Sequence, residues 1–320
     1  MRVQPKSRDS RLREMWDTGG MLLLFLVMFA VCWLAIPNFN SRNNMIGLSE
    51  SITTVGIVAC GMLFCLASGD FDLSVGSTLA LSAVASAMAV NYTHSIFLGV
   101  VSGMAIGAIV GVFNGVIIAW IGINALITTL ATMQIVRGLA YLLPRGKSVS
   151  IMQDDFVRLG SAMFIGVPAS VWVMIVCFVF FGLLLHKTVF GRNTLAIGGN
   201  REAAQLAGVA VVRTKIIIFA MQGLIAGLAG VVVAAQESLG DPKEGDKLEL
   251  NVIAACVLGG VSLTGGTGTI LAVIVGALIM GTVKNAMNLE NIDPFYQYLV
   301  SGGILLSAVL LDRLKQRGKN

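Results

Sequence analysis

Polar side chains that could handle a solute are few in this sequence and interrupt long apolar runs. Thr128, Thr132 and Arg137 share one helical stripe, and Gln134 lies a little off it. Hydroxyl, amide and guanidinium groups can exchange hydrogen bonds with a neutral, polyhydroxylated solute. Asn124 joins this candidate path, because polar groups inside membrane spans usually face the bundle interior or a wet cavity. Structural bonding between neighbouring helices explains each residue equally well.

Two carboxylates, Asp70 and Asp72, flank a glycine turn at the start of a predicted helix. Carboxylates in this position accept hydrogen bonds from free backbone amides and oppose the positive end of the helix dipole. We therefore expect helix capping, with a gate or a coupling contact as the alternative.

Sites for catalysis, nucleotides or metals are not indicated. The segment Gly146-Lys147-Ser148 imitates the end of a phosphate-binding loop, but that motif needs a glycine where Tyr141 stands. The two histidines are far apart, and the five cysteines lie in apolar runs without CxxC spacing. We expect no metal site, no enzymatic activity and no cofactor bound by this chain, so any energy from ATP must come from a partner.

The composition is that of a chain whose main solvent is not water. Of its 320 residues, 56% are hydrophobic and only 12% are charged. A bilayer core of about 30 Å requires roughly 20 apolar residues per helix. The sequence predicts an all-α polytopic membrane protein with about ten transmembrane helices, at 19–36, 46–68, 72–90, 95–121, 123–143, 167–185, 214–236, 250–264, 266–287 and 296–312. Glycine-rich turns within 46–90 and 250–287 mark places where a helix could break or re-enter.

The distribution of Lys and Arg predicts both termini in the cytoplasm. Fourteen of these residues then face the cytoplasm and six face outward. Arg137 and Lys284 remain, and we expect both to extend to the headgroups from outer helix ends. The predicted parts are a cytoplasmic tail at 1–18, one transmembrane permease domain at 19–312 and a cytoplasmic tail at 313–320.

Two further segments have distinctive patterns. An acidic segment, 237–249, is expected to be a solvated outward loop. The span 95–121 carries a glycine at every fourth position, which forms one smooth stripe on a helix and permits close helix packing. A surface that slides during gating is the alternative. The stripe comprises Gly99, Gly103, Gly107, Gly111 and Gly115.

The cytoplasmic loop 186–213 predicts a short helix on the inner surface. Asn200 is suited to cap the helix, about two turns follow at 201–207, and Gly208 suits a left-handed exit. We interpret this helix as a docking element, with an interfacial anchor as the alternative.

The same loop resembles a known family. Glu202-Ala203-Ala204 followed by Gly208 is similar to the Glu-Ala-Ala-x-x-x-Gly loop of ABC importer permeases, without the Leu-Pro that often closes it. Other segments resemble permeases of the ribose, xylose and arabinose type, over about 46–313, and the segments 59–67 and 124–127 most resemble the arabinose branch. The segments that resemble the wider family are 68–77, 127–130, 137–140, 191–208, 258–262 and 265–270.

The resemblance implies an importer subunit in a bacterial inner membrane that moves a monosaccharide, L-arabinose first and ribose, xylose or galactose otherwise. It implies a homodimer in membrane lipid, a periplasmic sugar-binding protein, and a tandem-domain sugar ATPase that holds ATP-Mg on the inner face, with no nucleic-acid partner. The coupling residues would be Arg192, Asn200, Glu202, Ala203, Ala204 and Gly208. A proton-coupled transporter is the weaker alternative, because only Glu50 is a plausible intramembrane acid.

Overall fold

The computed structural model describes residues 8–317, with side chains described from 19 to 310. The described chain is mostly helical, with four two-residue strands. The helices are α1 (Arg8–Ala35), α2 (Arg42–Ala67), α3 (Val75–Thr93), α4 (Ile96–Val116), α5 (Ala125–Leu142), α6 (Asp154–Ser161), α7 (Ala169–Lys187), α8 (Val189–Gly199), α9 (Arg201–Leu206), α10 (Val211–Glu237), α11 (Leu248–Gly259), α12 (Ile270–Leu289) and α13 (Pro294–Arg317). A π-helical turn (Ile117–Ile121) follows α4, and the strands are β1 (Val149–Ser150), β2 (Met163–Phe164), β3 (Val167–Pro168) and β4 (Leu239–Gly240).

Ten of these helices coincide with the ten predicted apolar runs. Within the described residues, seven helices are long and apolar enough to cross a membrane. Three shorter apolar helices accompany them, at Gly19–Ala35, Leu248–Gly259 and Pro294–Leu310. The all-α, multi-pass membrane class is thus confirmed, while the count of ten spans and the cytoplasmic position of both termini remain predictions.

The outermost helices extend beyond the predicted domain boundaries. The helix α1 is already formed at Arg8, within the predicted tail 1–18, and α13 continues to Arg317, within the predicted tail 313–320. Hydropathy detects where apolar side chains stop, whereas a helix that has started gains one backbone hydrogen bond for each added residue. Residues 1–7 and 318–320 of those tails lie outside the described residues.

Both predicted helix breaks are present. The helix α2 ends at Ala67 and α3 begins only at Val75, while α11 and α12 are separated by 260–269. Gly69 has a φ of +82°, a backbone conformation that glycine adopts without steric cost. Non-helical backbone therefore connects apolar helices at two places, where its polar groups need partners.

The glycine stripe of α4 packs against α10 and α3. A Cβ added at Gly107 would overlap the carbonyl oxygen of Gly223, and a Cβ added at Gly223 would overlap that of Gly107. Gly111 and Gly115 meet the backbone of α10 in the same way, while Gly99 and Gly103 meet side chains and carbonyls of α3 and α10. Two backbones thus approach to van der Waals contact without intervening side chains.

The two ends of the bundle differ in structure. At one end, β1 pairs with β4, β2 pairs with β3, and α6 packs on α10. At the other end, the last residues of α8 contact the end of α2 and the loop 260–269, and α9 follows α8 directly. We call this second region the α9 end.

The helix α3 begins part of the way along the bundle. Lys215 lies at the level of Asp70, whereas Gly230 packs against Leu79. At 1.5 Å per residue, about 22 Å of α10 separates these two levels. Residues 70–74 therefore rise through the bundle in a non-helical conformation before α3 starts.

Replacing Gly107 with alanine should destabilise the protein, because the new methyl group meets backbone that cannot move aside. The overpacking cost is about 1–3 kcal/mol and should lower the melting temperature in detergent by several degrees. Gly47→Ala is the matched control, since Gly47 is also helical and nothing lies within 4 Å of the added carbon. Equal melting temperatures for the two variants would contradict the tight packing of α4 on α10.

Candidate functional site

A buried ion pair lies at the α9 end. The Nζ atom of Lys215 is 2.7 Å from Oδ2 of Asp70, and their side chains are only 7% and 11% exposed. The sequence predicts Lys215 as one of the basic loop residues on the cytoplasmic side, whereas the structure buries it in the second turn of α10. Its position at the edge of the apolar run 216–220 was the available signal.

The second carboxylate, Asp72, bonds Ser74, the residue immediately before α3, rather than a free amide of the helix itself. Its Oδ1 atom accepts hydrogen bonds from the Ser74 amide at 2.9 Å and the Ser74 hydroxyl at 2.6 Å. The Asn114 side chain donates to the same hydroxyl oxygen at 2.9 Å. The hydrogen bonds among the side chains of Asp72, Ser74 and Asn114 fix the backbone immediately before α3. Asp70 instead forms its ion pair with Lys215.

A cavity of about 360 Å³ separates the turn after α2 from the start of α5. It is lined by Gly69, Asp70, Phe71, Asn124, Ala125 and Leu126. Two of the candidate path residues, Asp70 and Asn124, therefore share one cavity. Asn124 also caps α5, because its side-chain oxygen accepts a hydrogen bond from the Leu126 amide at 2.9 Å.

The remaining candidates on α5 are divided between its two faces. Thr128 and Thr132 are buried, and the Thr128 hydroxyl donates to the Asn124 carbonyl at 3.0 Å. Gln134 is exposed on the surface of the subunit. The structure thus places the two threonines inside the bundle and separates Gln134 from them.

Arg137 and the acidic segment 237–249 are arranged differently from the prediction. The Arg137 guanidinium donates hydrogen bonds to the carbonyls of Pro242 and Glu244, each at 2.7 Å. Gly245 packs against the backbone of Gly76, near the start of α3. The structure corrects the predicted headgroup contact of Arg137, because its guanidinium makes charge-assisted hydrogen bonds to carbonyls within the protein. The predicted solvated loop holds only in part, since Pro242 is buried whereas Lys243 and Lys247 are exposed.

We call residues 241–247 the inward loop. It is followed by Glu249, in the first turn of α11, whose side chain lies close to Gly76. A Cβ built on Gly76 would lie 2.8 Å from Oε2 of Glu249. The sequence predicts Glu249 as a member of the solvated loop, because no local pattern distinguishes it from its acidic neighbours. Within the described residues, no group of three or more His, Cys, Asp and Glu side chains could hold a metal ion.

The loop 186–213 has the predicted local structure. The Asn200 side chain accepts a hydrogen bond from the Ala203 amide at 2.9 Å and caps α9. Gly208 then leaves the helix with a φ of +85°. The structure adds α8, an eleven-residue helix that the sequence analysis did not predict. Arg192, Glu202 and Ala203 are exposed, and Ala204 is buried.

Glycine contacts attach α8 to the turn after α2. A Cβ at Gly198 would overlap the carbonyl of Ala67, and the Gly266 amide donates to that same carbonyl at 2.9 Å. Gly265 lies against both Gly198 and the amide of Gly69. The three segments 67–70, 198–199 and 265–266 thus pack backbone against backbone, and a displacement of α8 would be passed to the turn that carries Asp70.

Replacing Arg137 with methionine should release the inward loop. Hydrogen bonds to a charged donor contribute about 1.5 kcal/mol or more, so amide hydrogen exchange at 239–247 should rise at least about tenfold. Mass spectrometry of the purified protein measures this exchange, with the exposed Arg145→Met as the control. Unchanged exchange at 239–247 in Arg137→Met would show that these hydrogen bonds do not hold the loop.

Known proteins resemble the chain over almost its whole length. It is 56% identical over 315 residues to the L-arabinose transport system permease protein AraH of Escherichia coli strain K12, covering 98% of this chain and 96% of that protein. The L-arabinose ABC transporter permease protein AraH of Azospirillum brasilense is 51% identical, with 98% and 93% covered. The ribose import permease protein RbsC of Bacillus subtilis strain 168 is 40% identical, with 94% of each chain covered.

No solved structure matches the chain with comparable significance. The family model described as the branched-chain amino acid transport system / permease component matches residues 44–309. That range includes the non-helical turn after α2, the inward loop and α9, so the elements of the site lie within the matched region. The chain belongs to this family of transport-system permease components.

Proposed function

We propose that this chain is the membrane permease of an ATP-driven importer that carries L-arabinose from the periplasm to the cytoplasm of a bacterium. The observation that carries the proposal is α9, an exposed capped helix whose neighbour α8 packs backbone-to-backbone on the turn beside the candidate cavity. Full-length similarity to two permeases named for L-arabinose supports the choice of sugar.

The proposed topology has ten spans, with both termini and the α9 end in the cytoplasm. The excess of Lys and Arg on that side supports this orientation. The helix α11 has only 12 residues and is therefore about 18 Å long, shorter than a bilayer core. The inward loop 241–247, held by Arg137, would complete its crossing from the outer side.

The proposed ATPase partner, of the tandem-domain type, docks at α9 and holds ATP-Mg, while this chain binds no cofactor. Leu206 is 90% exposed at the last residue of α9, and a large apolar side chain presented in this way suits a protein contact. A groove of about 790 Å³ lies beside it, lined by Arg201, Gln205, Val209, Ala210, Val211, Val212, Arg213, Ile216 and Ile217.

The proposed mechanism is alternating access in a homodimer that receives sugar from a periplasmic binding protein. Closure of the ATPase subunits would move α9 and α8, and the glycine contacts at Ala67 would pass this movement to the cavity wall at Asp70. Asn124 offers an amide group at that cavity, and Thr128 and Thr132 offer hydroxyl groups on the buried face of the same helix. These groups suit brief hydrogen bonds to sugar hydroxyls, which must form and break at each turnover.

Ribose is the principal alternative solute, because the ribose permease of Bacillus subtilis is also similar over nearly the full length. A proton-coupled transporter has weaker support. Glu50 is only partly buried, whereas a proton relay normally uses acids that face the interior of the bundle.

Uptake of labelled L-arabinose into proteoliposomes should require every component. The vesicles contain this permease and its cognate ATPase, the binding protein is outside, and ATP is inside or absent. We expect uptake with all three proteins and ATP, and none when any one is omitted. A preference for ribose over L-arabinose would change only the proposed identity of the solute. Uptake by the permease alone under a proton gradient would contradict the ATP-driven mechanism.

Replacing Leu206 with aspartate should weaken ATPase binding without unfolding the permease, because this side chain contacts little of its own subunit. We expect co-purification of the ATPase to fall about tenfold, the range of a lost apolar contact at an interface. Met152→Asp is the matched control, since Met152 is 84% exposed at the opposite end of the bundle. Equal ATPase recovery with both variants would place the docking surface elsewhere.

A further inference from the structure

The ion pair between Lys215 and Asp70 connects the docking side of the bundle to the wall of the cavity. Lys215 follows Gly208 by seven residues, so it lies in the first helical segment reached after α9. Asp70 lines the cavity beside Asn124. The 2.7 Å contact between Nζ and Oδ2 therefore joins α10 to a turn that belongs to neither α9 nor α10.

Burial makes this connection stiff. Both side chains are almost fully enclosed, so bulk water does not solvate either charge when they separate. A buried ion left without its partner is strongly disfavoured, whereas an exposed pair separates at little cost. The other ion pair among the described side chains, Arg158 with Asp155, is of the exposed kind. A shift of the first turns of α10 should thus displace Asp70 and the adjoining Phe71.

The neighbouring polar groups do not share this role. Asp72 is bonded to Ser74, and Asn114 donates to the same serine, so this group stabilises the start of α3. Gly198 reaches the turn through backbone contact with Ala67, which transmits pressure but offers no attraction of opposite charges. Lys215 is positioned to pull the cavity wall as well as to push it.

We propose that Lys215 and Asp70 are a positioning pair that transmits the movement of α9 and the first turns of α10 to the cavity wall. The inference rests on the proposed function, because it assumes that an ATPase moves α9. Lys215 acts through Asp70, and it contacts neither nucleotide nor sugar in this scheme. Loss of the pair should therefore uncouple ATP hydrolysis from sugar transport.

The test measures ATP hydrolysis and L-arabinose uptake in the same proteoliposomes containing the full complex. The principal variant is the double substitution Asp70→Asn with Lys215→Met, which removes both charges and leaves no buried ion unpaired. We expect hydrolysis to stay within about twofold of wild type while uptake falls about tenfold, so that more ATP is consumed per sugar. Lys215→Arg keeps the charge and should retain coupling.

Lys284→Met, which removes an exposed lysine, is the control and should keep the wild-type ratio of ATP to sugar. A wild-type ratio in the double variant would contradict the positioning role. Parallel loss of hydrolysis, uptake and folded protein would also contradict it, since the pair would then be structural alone. Absence of ATP-dependent uptake by the wild-type complex is a different result, because it overturns the proposed function itself.

Discussion

Non-helical backbone enclosed by apolar helices must find polar partners within the protein, and this constraint shapes the rest of the structure. Each unpaired amide or carbonyl in a bilayer costs several kcal/mol. Three of the non-helical segments of the described chain are 68–74, 238–247 and 260–269. Asp72 accepts the Ser74 amide of the first, Arg137 donates to carbonyls of the second, and the carbonyl of Ala67 accepts the Gly266 amide of the third.

Glycine makes these partnerships possible by removing side chains from the contacts. The same device joins α4 to the backbone of α10 at Gly107, Gly111 and Gly115, and joins α8 to the turn after α2. Where two backbones touch, neither can shift without the other, because close-packed interiors transmit displacement. The α9 end is thus connected to the cavity by rigid contacts, while the cavity leaves α5 separated from the adjacent turn.

Local patterns predicted the helices well because each depends on neighbouring residues. Hydropathy located ten apolar helices, and the cap at Asn200 and the exit at Gly208 followed from residues within α9 itself. The long-range pairs were missed, since Arg137 and its carbonyl partners are over a hundred residues apart, as are Lys215 and Asp70. Charge counting treated every basic residue as solvated, and this assumption fails for a lysine with a buried partner.

Hydrogen exchange in the reconstituted complex, with and without a non-hydrolysable ATP analogue, tests most directly whether the α9 end is coupled to the cavity. We expect nucleotide binding to change exchange at 67–74 and 264–266 together with 200–208, because α9 directly follows α8, whose residues 198–199 contact the backbone of Ala67 and Gly266. Exchange at α6, at the opposite end, should stay constant. Changes confined to 200–208 would show that α9 moves without the cavity wall and would contradict this coupling.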